Sequence, residues 1–118
     1  MEFTQELRNR FEKLSSTNLS DAMDALGMRG FTFGIRPMQA SWRKIVGPAV
    51  TMRMTAAGQT PQKTHLGMNA IASAKPGDII VIDNGGRMDS SCWGGILANA
   101  AKTKGVAATV IDGCCRDL

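Results

Sequence analysis

The chain has 118 residues, 43% apolar and 20% charged, enough for one core and too few for two ordinary domains, so a single domain over 1–118 is expected. Aromatic residues make up only 5%, with no tyrosine, which argues against a stacking platform for single-stranded nucleic acid. No run approaches the roughly 18 apolar residues of a spanning helix and no apolar leader opens the chain, so a cytoplasmic protein without membrane contact is expected.

Phe3, Leu7, Phe11 and Leu14 recur at helical spacing and predict an amphipathic first helix. Thr17 or Asn18 is a candidate cap for a second helix, with Asp21 in its first turn, Leu19, Ala22, Met23 and Leu26 on one face, and Gly27 as the stop. Gly34-Ile35-Arg36-Pro37 reads as a turn into extended chain, since Pro37 opposes helix. An edge strand is expected from Lys44 through Met54, broken at Gly47-Pro48. Thr64 to Ala74 reads as helix, with Leu66, Ala70, Ile71 and Ala74 in register, ended by Lys75-Pro76-Gly77.

The last third is the most regular. Ile79 to Ile82 is a continuous apolar run, the pattern of a strand buried on both faces, ended by Asn84-Gly85-Gly86. Ile96, Leu97, Ala100 and Ala101 form a helical stripe that starts after Trp93-Gly94-Gly95 and stops at Gly105. Val106 to Ile111 is a second buried strand, closing with Asp112-Gly113. Strand, helix, strand at these lengths predicts a right-handed βαβ unit and an α/β fold.

Ligands of parallel sheets bind beyond the carboxyl ends of the strands, beside the amino end of the connecting helix. Two features should meet there. Gly94 and Gly95 leave bare amides for a carboxylate or phosphate, and Arg116-Asp117 follows the second parallel strand. Asp117 is a hard oxygen ligand of the kind magnesium or manganese accepts, and Arg116 is a permanently charged fork for a carboxylate or an enolate oxygen. An Arg and an Asp flanking a turn are also an ordinary surface pair, and a glycine pair is also an ordinary turn.

Other motifs carry less. Cys92, Cys114 and Cys115 are odd in number and lack the C-x-x-C spacing of a zinc site, so free thiols are expected, and the lone His65 reads as structural. Phosphate-loop and nucleophile-elbow signatures are missing. Between Leu26 and Gly77 there is no Asp or Glu, while Arg29, Arg36, Arg43, Lys44, Arg53, Lys63 and Lys75 are basic. That segment suits an anionic partner, whether a carboxylate substrate, RNA or an acidic surface of another subunit, or it is a solvated face with arginine stems on the core.

The run Trp93-Gly94-Gly95-Ile96-Leu97-Ala98, with Ala101, Gly105 and Val110-Ile111-Asp112-Gly113-Cys114-Cys115-Arg116-Asp117, resembles the signature of the RraA-like proteins. That family includes 4-hydroxy-4-methyl-2-oxoglutarate aldolases, oxaloacetate decarboxylases and regulators of ribonuclease activity. Leu19-Ser20-Asp21-Ala22, Leu26-Gly27, Gly34-Ile35-Arg36-Pro37, Gly47-Pro48-Ala49-Val50 and Pro76-Gly77-Asp78 agree in order.

The resemblance implies a swivelling β/β/α sandwich assembled as trimers or hexamers with sites between subunits. It also implies roles: Asp117 as the direct Mg²⁺ or Mn²⁺ ligand, Arg116 holding substrate and enolate, and backbone amides of Gly95, Ile96 and Leu97, beside Gly94, binding the oxo acid's carboxylate. The sequence departs from the aldolases at Gly95, a position they commonly fill with glutamate. Relatives also continue past the Arg-Asp pair, so a chain lacking the family's C-terminal part is expected.

The function so implied is a metal-dependent lyase cleaving a small 2-oxo acid to pyruvate, a class II pyruvate aldolase or oxaloacetate decarboxylase, with no nucleic-acid partner. The alternative is a non-catalytic regulator that binds a ribonuclease or an RNA-associated protein.

Overall fold

A computed structural model describes residues 2–38, 43–56, 58, 61 and 64–117, which fall into two units, Met1–Val46 and Gly47–Leu118. Lys63, counted in the basic stretch, and Leu118 lie outside the described residues.

In the first unit, α1 (Gln5–Glu12) starts at Thr4, whose side chain accepts from the Leu7 amide, and α2 (Ser16–Ala25) starts at Ser15. Ser15 accepts from the Asn18 amide while the Asn18 side chain accepts from the Ser15 amide, a reciprocal box that satisfies two otherwise orphaned donors. The cap is therefore Ser15, two residues before the expected Thr17, and Asp21 falls in the second turn. Of the expected stripe, Phe3, Leu7 and Phe11 are half-buried, with the Phe3 and Phe11 rings stacked at 6.5 Å and the Arg8 guanidinium 5.3 Å over Phe3, whereas Leu14, past the end of α1, is exposed. On α2 only Leu19 and Met23 of the expected face are half-buried, because Ala22 and Leu26 are exposed. Gly27 ends the helix at φ 67, a left-handed turn that glycine adopts without steric cost.

In the second unit, β1 (Ala49–Arg53), β2 (Ile79–Arg87) and β3 (Ala108–Gly113) form a parallel sheet in the order β1-β2-β3, with α3 (Leu66–Ser73) and α4 (Gly95–Lys104) as the connections. The mixed α/β fold and its βαβ unit are as expected. A second βαβ unit precedes the predicted one, because β1 also pairs in parallel with β2. The segment from Lys44 to Val46 is not strand. Pairing begins where the Pro48 carbonyl accepts from the Ile79 amide at 2.8 Å, and a Cβ at Gly47 would collide with the Gly77 carbonyl.

Ile80 and Ile82 are fully buried and form the core with Ala70 and Ile71 of α3, Ala101 of α4, and Cys92 and Trp93. Burying each such isoleucine contributes about 1.5–3 kcal/mol. Ile79 and Val81, which alternate with them along β2, stay half-buried, as does most of β3. The expectation of a strand buried on both faces is thus corrected: the described helices cover one face. Gly105 caps α4 in the left-handed region at φ 83, with Pro76 packed against it. Among the described residues no helix is long and apolar enough to cross a membrane.

Candidate active site

Trp93 is buried in the core and anchors the chain just before α4. Gly94 caps the helix in extended conformation, φ −156, with no side-chain hydrogen bond to its first turn. The first turn's bonding starts with Ala98, whose amide donates to the Gly94 carbonyl at 2.9 Å. Among the described residues the amides of Gly95, Ile96 and Leu97 have no acceptor. A helix N-terminus left in this state carries about half a positive charge and free donors.

The segment after β3 is laid alongside this turn by main-chain bonds. Cys114 donates to the Arg87 carbonyl at 3.0 Å, Cys92 donates to the Cys114 carbonyl at 3.4 Å, and Arg116 donates to the Trp93 carbonyl at 3.0 Å. The Ser91 hydroxyl donates to that same Trp93 carbonyl at 2.8 Å. Asn84, buried and in step with Ile80 and Ile82, donates from Nδ2 to the Ser90 carbonyl at 2.8 Å and so holds the loop that precedes Trp93. Its side chain lies 2.8 Å from where a Cβ on Gly113 would stand, and Gly113 sits at φ 143, so only glycine fits that exit from β3.

These bonds bring the expected residues to one rim. A Cβ placed on Gly94 would stand 3.3 Å from Cγ and Nε of Arg116 and from Oδ2 of Asp117. At Gly95 the nearest atom would be the Asp117 Cβ at 3.4 Å, an ordinary contact. Arg116 Nε and Asp117 Oδ2 are 3.7 Å apart, with side chains 76% and 65% exposed, so the pair contributes little to stability and is open to a ligand. Asp117 holds φ 59, a left-handed conformation that Asp tolerates better than most residues.

Ile96 corrects one expectation. It does not join a buried stripe but is 86% exposed, whereas Leu97 turns inward and meets Gly67 of α3. Its place among the candidate binding residues therefore rests on its amide, not on its side chain.

Asp117 is a single hard carboxylate, which suits a cation that keeps most of its waters or shares ligands with a substrate, as magnesium does. Among the described residues no three His, Cys, Asp or Glu side chains are grouped to hold a metal. Cys92, Cys114 and Cys115 are free thiols, and burial pushes the Cys92 thiol up from its ordinary value. His65 holds the cap position of α3 without a side-chain bond to its first turn and lines, with Met52, Met54, Leu66, Gly67 and Cys92, a cavity of about 70 Å³. Neither Arg116 nor Asp117 lines that cavity.

Sequence reasoning passed over Asn84, Ser91 and the Trp93 carbonyl. The signal for Asn84 was its place two residues after Ile82, on the alternation of a strand's buried face. It also passed over a charged row at the carboxyl end of the sheet, where Arg53, Asp83 and Asp112 stand side by side in register and Arg53 Nε pairs with Asp83 Oδ2 at 3.1 Å.

A family model described as RraA-like, Aldolase/RraA, matches residues 16–118. The chain belongs to the RraA-like family. Protein DlpA of Legionella pneumophila is 34% identical over 104 residues, covering 88% of this chain and 17% of that protein. A Halalkalibacterium halodurans protein provisionally named 4-hydroxy-4-methyl-2-oxoglutarate aldolase is 33% identical over 109 residues, 92% of this chain and 48% of its own length. Among solved structures, Streptomyces coelicolor RraAS2, described as an unusual member of the RNase ES inhibitor RraA protein family, superposes with a TM-score of 0.82 at 29% identity. That match covers 97% of this chain and 56% of RraAS2. An uncharacterized protein from Pseudomonas syringae gives a TM-score of 0.78 at 32% identity over 99% of this chain and 52% of that one. This RraA-like chain thus spans about half the length of several relatives it matches, and less of DlpA.

Proposed function

We propose that this RraA-like chain carries the substrate-binding rim of a divalent-metal-dependent lyase that cleaves the C3–C4 bond of a small 2-oxo acid and releases pyruvate. The supporting observation is the approach of Arg116 and Asp117 to Gly94, which sets a cation, a carboxylate and free helix amides within reach of one small ligand. In this reading the amides of Gly95, Ile96 and Leu97 hold the C1 carboxylate, with the helix dipole favouring its charge. Asp117 would hold the Mg²⁺ or Mn²⁺ ion, which supplies Lewis acidity toward the 2-oxo group when bound. Further acidic groups that order the ion's waters, and the swivelling sandwich and trimeric ring that unite them, come from the family resemblance.

With oxaloacetate, the electron pair of the breaking C3–C4 bond moves toward C2 and its oxygen as carbon dioxide leaves. Pyruvate enolate forms, and protonation at C3 completes pyruvate. Arg116 places its guanidinium against the oxygen on which charge accumulates, a preorganised contact that costs no solvent rearrangement during reaction. Aldol cleavage of a 4-hydroxy-2-oxo acid uses the same electron sink but also a base at the 4-hydroxyl, for which the described residues offer no assigned group.

The primary test is pyruvate release from oxaloacetate, with Mg²⁺ and with EDTA. Magnesium-dependent release above the rate with metal alone is expected, and an EDTA-insensitive rate or none on the full-length protein would reject the reading. The close fit at Gly94 gives a second expectation. Gly94→Ala pushes Arg116 and Asp117 aside by a few tenths of an ångström and lowers kcat/KM about tenfold or more, while Gly95→Ala, in ordinary contact, stays within about threefold. Equal effects of the two substitutions would count against this geometry.

The likeness to RraAS2 favours a second reading, a regulator that binds a ribonuclease. Association with such a partner that persists in EDTA, with no pyruvate released, would select it.

A further inference from the structure

The first unit holds a segment that the lyase reading leaves unused. From Met28 to Met38 the backbone forms no helix or strand and every residue is exposed. Phe31 is 63% and Phe33 90% exposed, and Met28, Ile35 and Met38 are bare as well. The segment is not loose at its base: the Met28 amide donates to the Met23 carbonyl at 2.8 Å, and Gly30 packs against the tip of the Met23 side chain. Arg29 and Arg36 flank the two rings, and among the described residues neither has an acidic partner.

We propose that this segment binds single-stranded nucleic acid, with Phe31 and Phe33 as stacking rings and Arg29 and Arg36 on the phosphates. Soluble chains rarely leave so many large apolar groups together in water without a partner. The surrounding charge selects the partner's chemistry, since no Asp or Glu occurs between Leu26 and Gly77. A protein interface depletes charge at its centre, and membrane-surface segments of this charge are amphipathic helices; this segment is neither.

Two rings one residue apart beside arginines are what base stacking and phosphate contact require. Low overall aromatic content argued against a stacking platform. The structure shows why composition misleads here, because two of the chain's few rings share one exposed segment.

Fluorescence anisotropy with labelled oligo(U), oligo(dT) and a duplex of equal length, on the full chain, tests this and separates RNA from DNA. Both single strands, or RNA alone, should bind more tightly than the duplex. Phe31→Ala with Phe33→Ala should weaken binding by about tenfold per ring with the salt dependence unchanged. Phe31→Tyr with Phe33→Tyr, which keeps both rings, should retain it. Arg29→Ala with Arg36→Ala should reduce the slope of log K against log salt by about 1.4, the value for two phosphate contacts on a single strand.

No binding at low salt, or full binding by the double alanine variant of the phenylalanines, would overturn the proposal. So would sedimentation showing that this variant dissociates an oligomer while nucleic-acid affinity is unchanged, which would make the segment a contact between protein chains.

Discussion

Replacing Asp117 by asparagine should lower magnesium-dependent pyruvate release from oxaloacetate by about a thousandfold, the several kcal/mol that Lewis-acid stabilisation supplies, with no fall in melting temperature. Asparagine is the informative substitution. It keeps the size of the side chain and tolerates φ 59 as aspartate does, so only the charge and one oxygen are lost. Alanine would add backbone strain to the loss of the ligand. Stability should be unmoved because the carboxylate is 65% exposed and its ion pair to Arg116 at 3.7 Å is a surface pair. Activity retained in Asp117→Asn would remove the ion from this position.

Arg116→Lys should lower kcat by about a hundredfold with little change in KM, the cost of removing a donor aimed at charge that develops in the transition state. Lysine keeps the positive charge and an alkyl stem beside Gly94, where the Arg116 Cγ now lies, but has no planar fork to engage two oxygens. Arg116→Ala should fall further. Steady-state kinetics on oxaloacetate separates the outcomes: a rise in KM alone would make Arg116 a ground-state contact with the carboxylate, and no change in either constant would take it out of the site.

The rim was legible in the sequence because its parts obey short-range rules. A glycine pair opening a helix and an Arg-Asp pair past the next parallel strand must meet at the carboxyl end of a sheet, whatever surrounds them. The same reasoning read Gly27 and Gly105 as helix stops, and both take positive φ.

What escaped depended on long-range pairing. The parallel partner of β1 lies at Ile79, 30 positions from Ala49, and nothing local in Ala49–Arg53 distinguishes an edge strand in a hairpin from one joined by a helical crossover. The alternation of burial along Ile79 to Ile82 was hidden for a similar reason, since four apolar side chains give no period and only the placement of α3 and α4 decides which face is covered. Ile96 was assigned to the helix's apolar stripe by spacing, yet it stands in the first turn, beyond the edge of the core. Asn84 and Ser91 act through main-chain carbonyls, and a hydrogen bond to backbone leaves no mark in the partner's residue type.

Substitution of Mn²⁺ for Mg²⁺ in an amide-resolved NMR experiment addresses the geometry without relying on turnover. Paramagnetic broadening should erase the amide signals of Gly94 to Leu97 and of Arg116 and Asp117 first, and this pattern should vanish in Asp117→Asn. Broadening centred instead on Asp83 and Asp112, with the α4 amides still sharp, would place the cation elsewhere on the sheet and contradict a shared site for anion and ion.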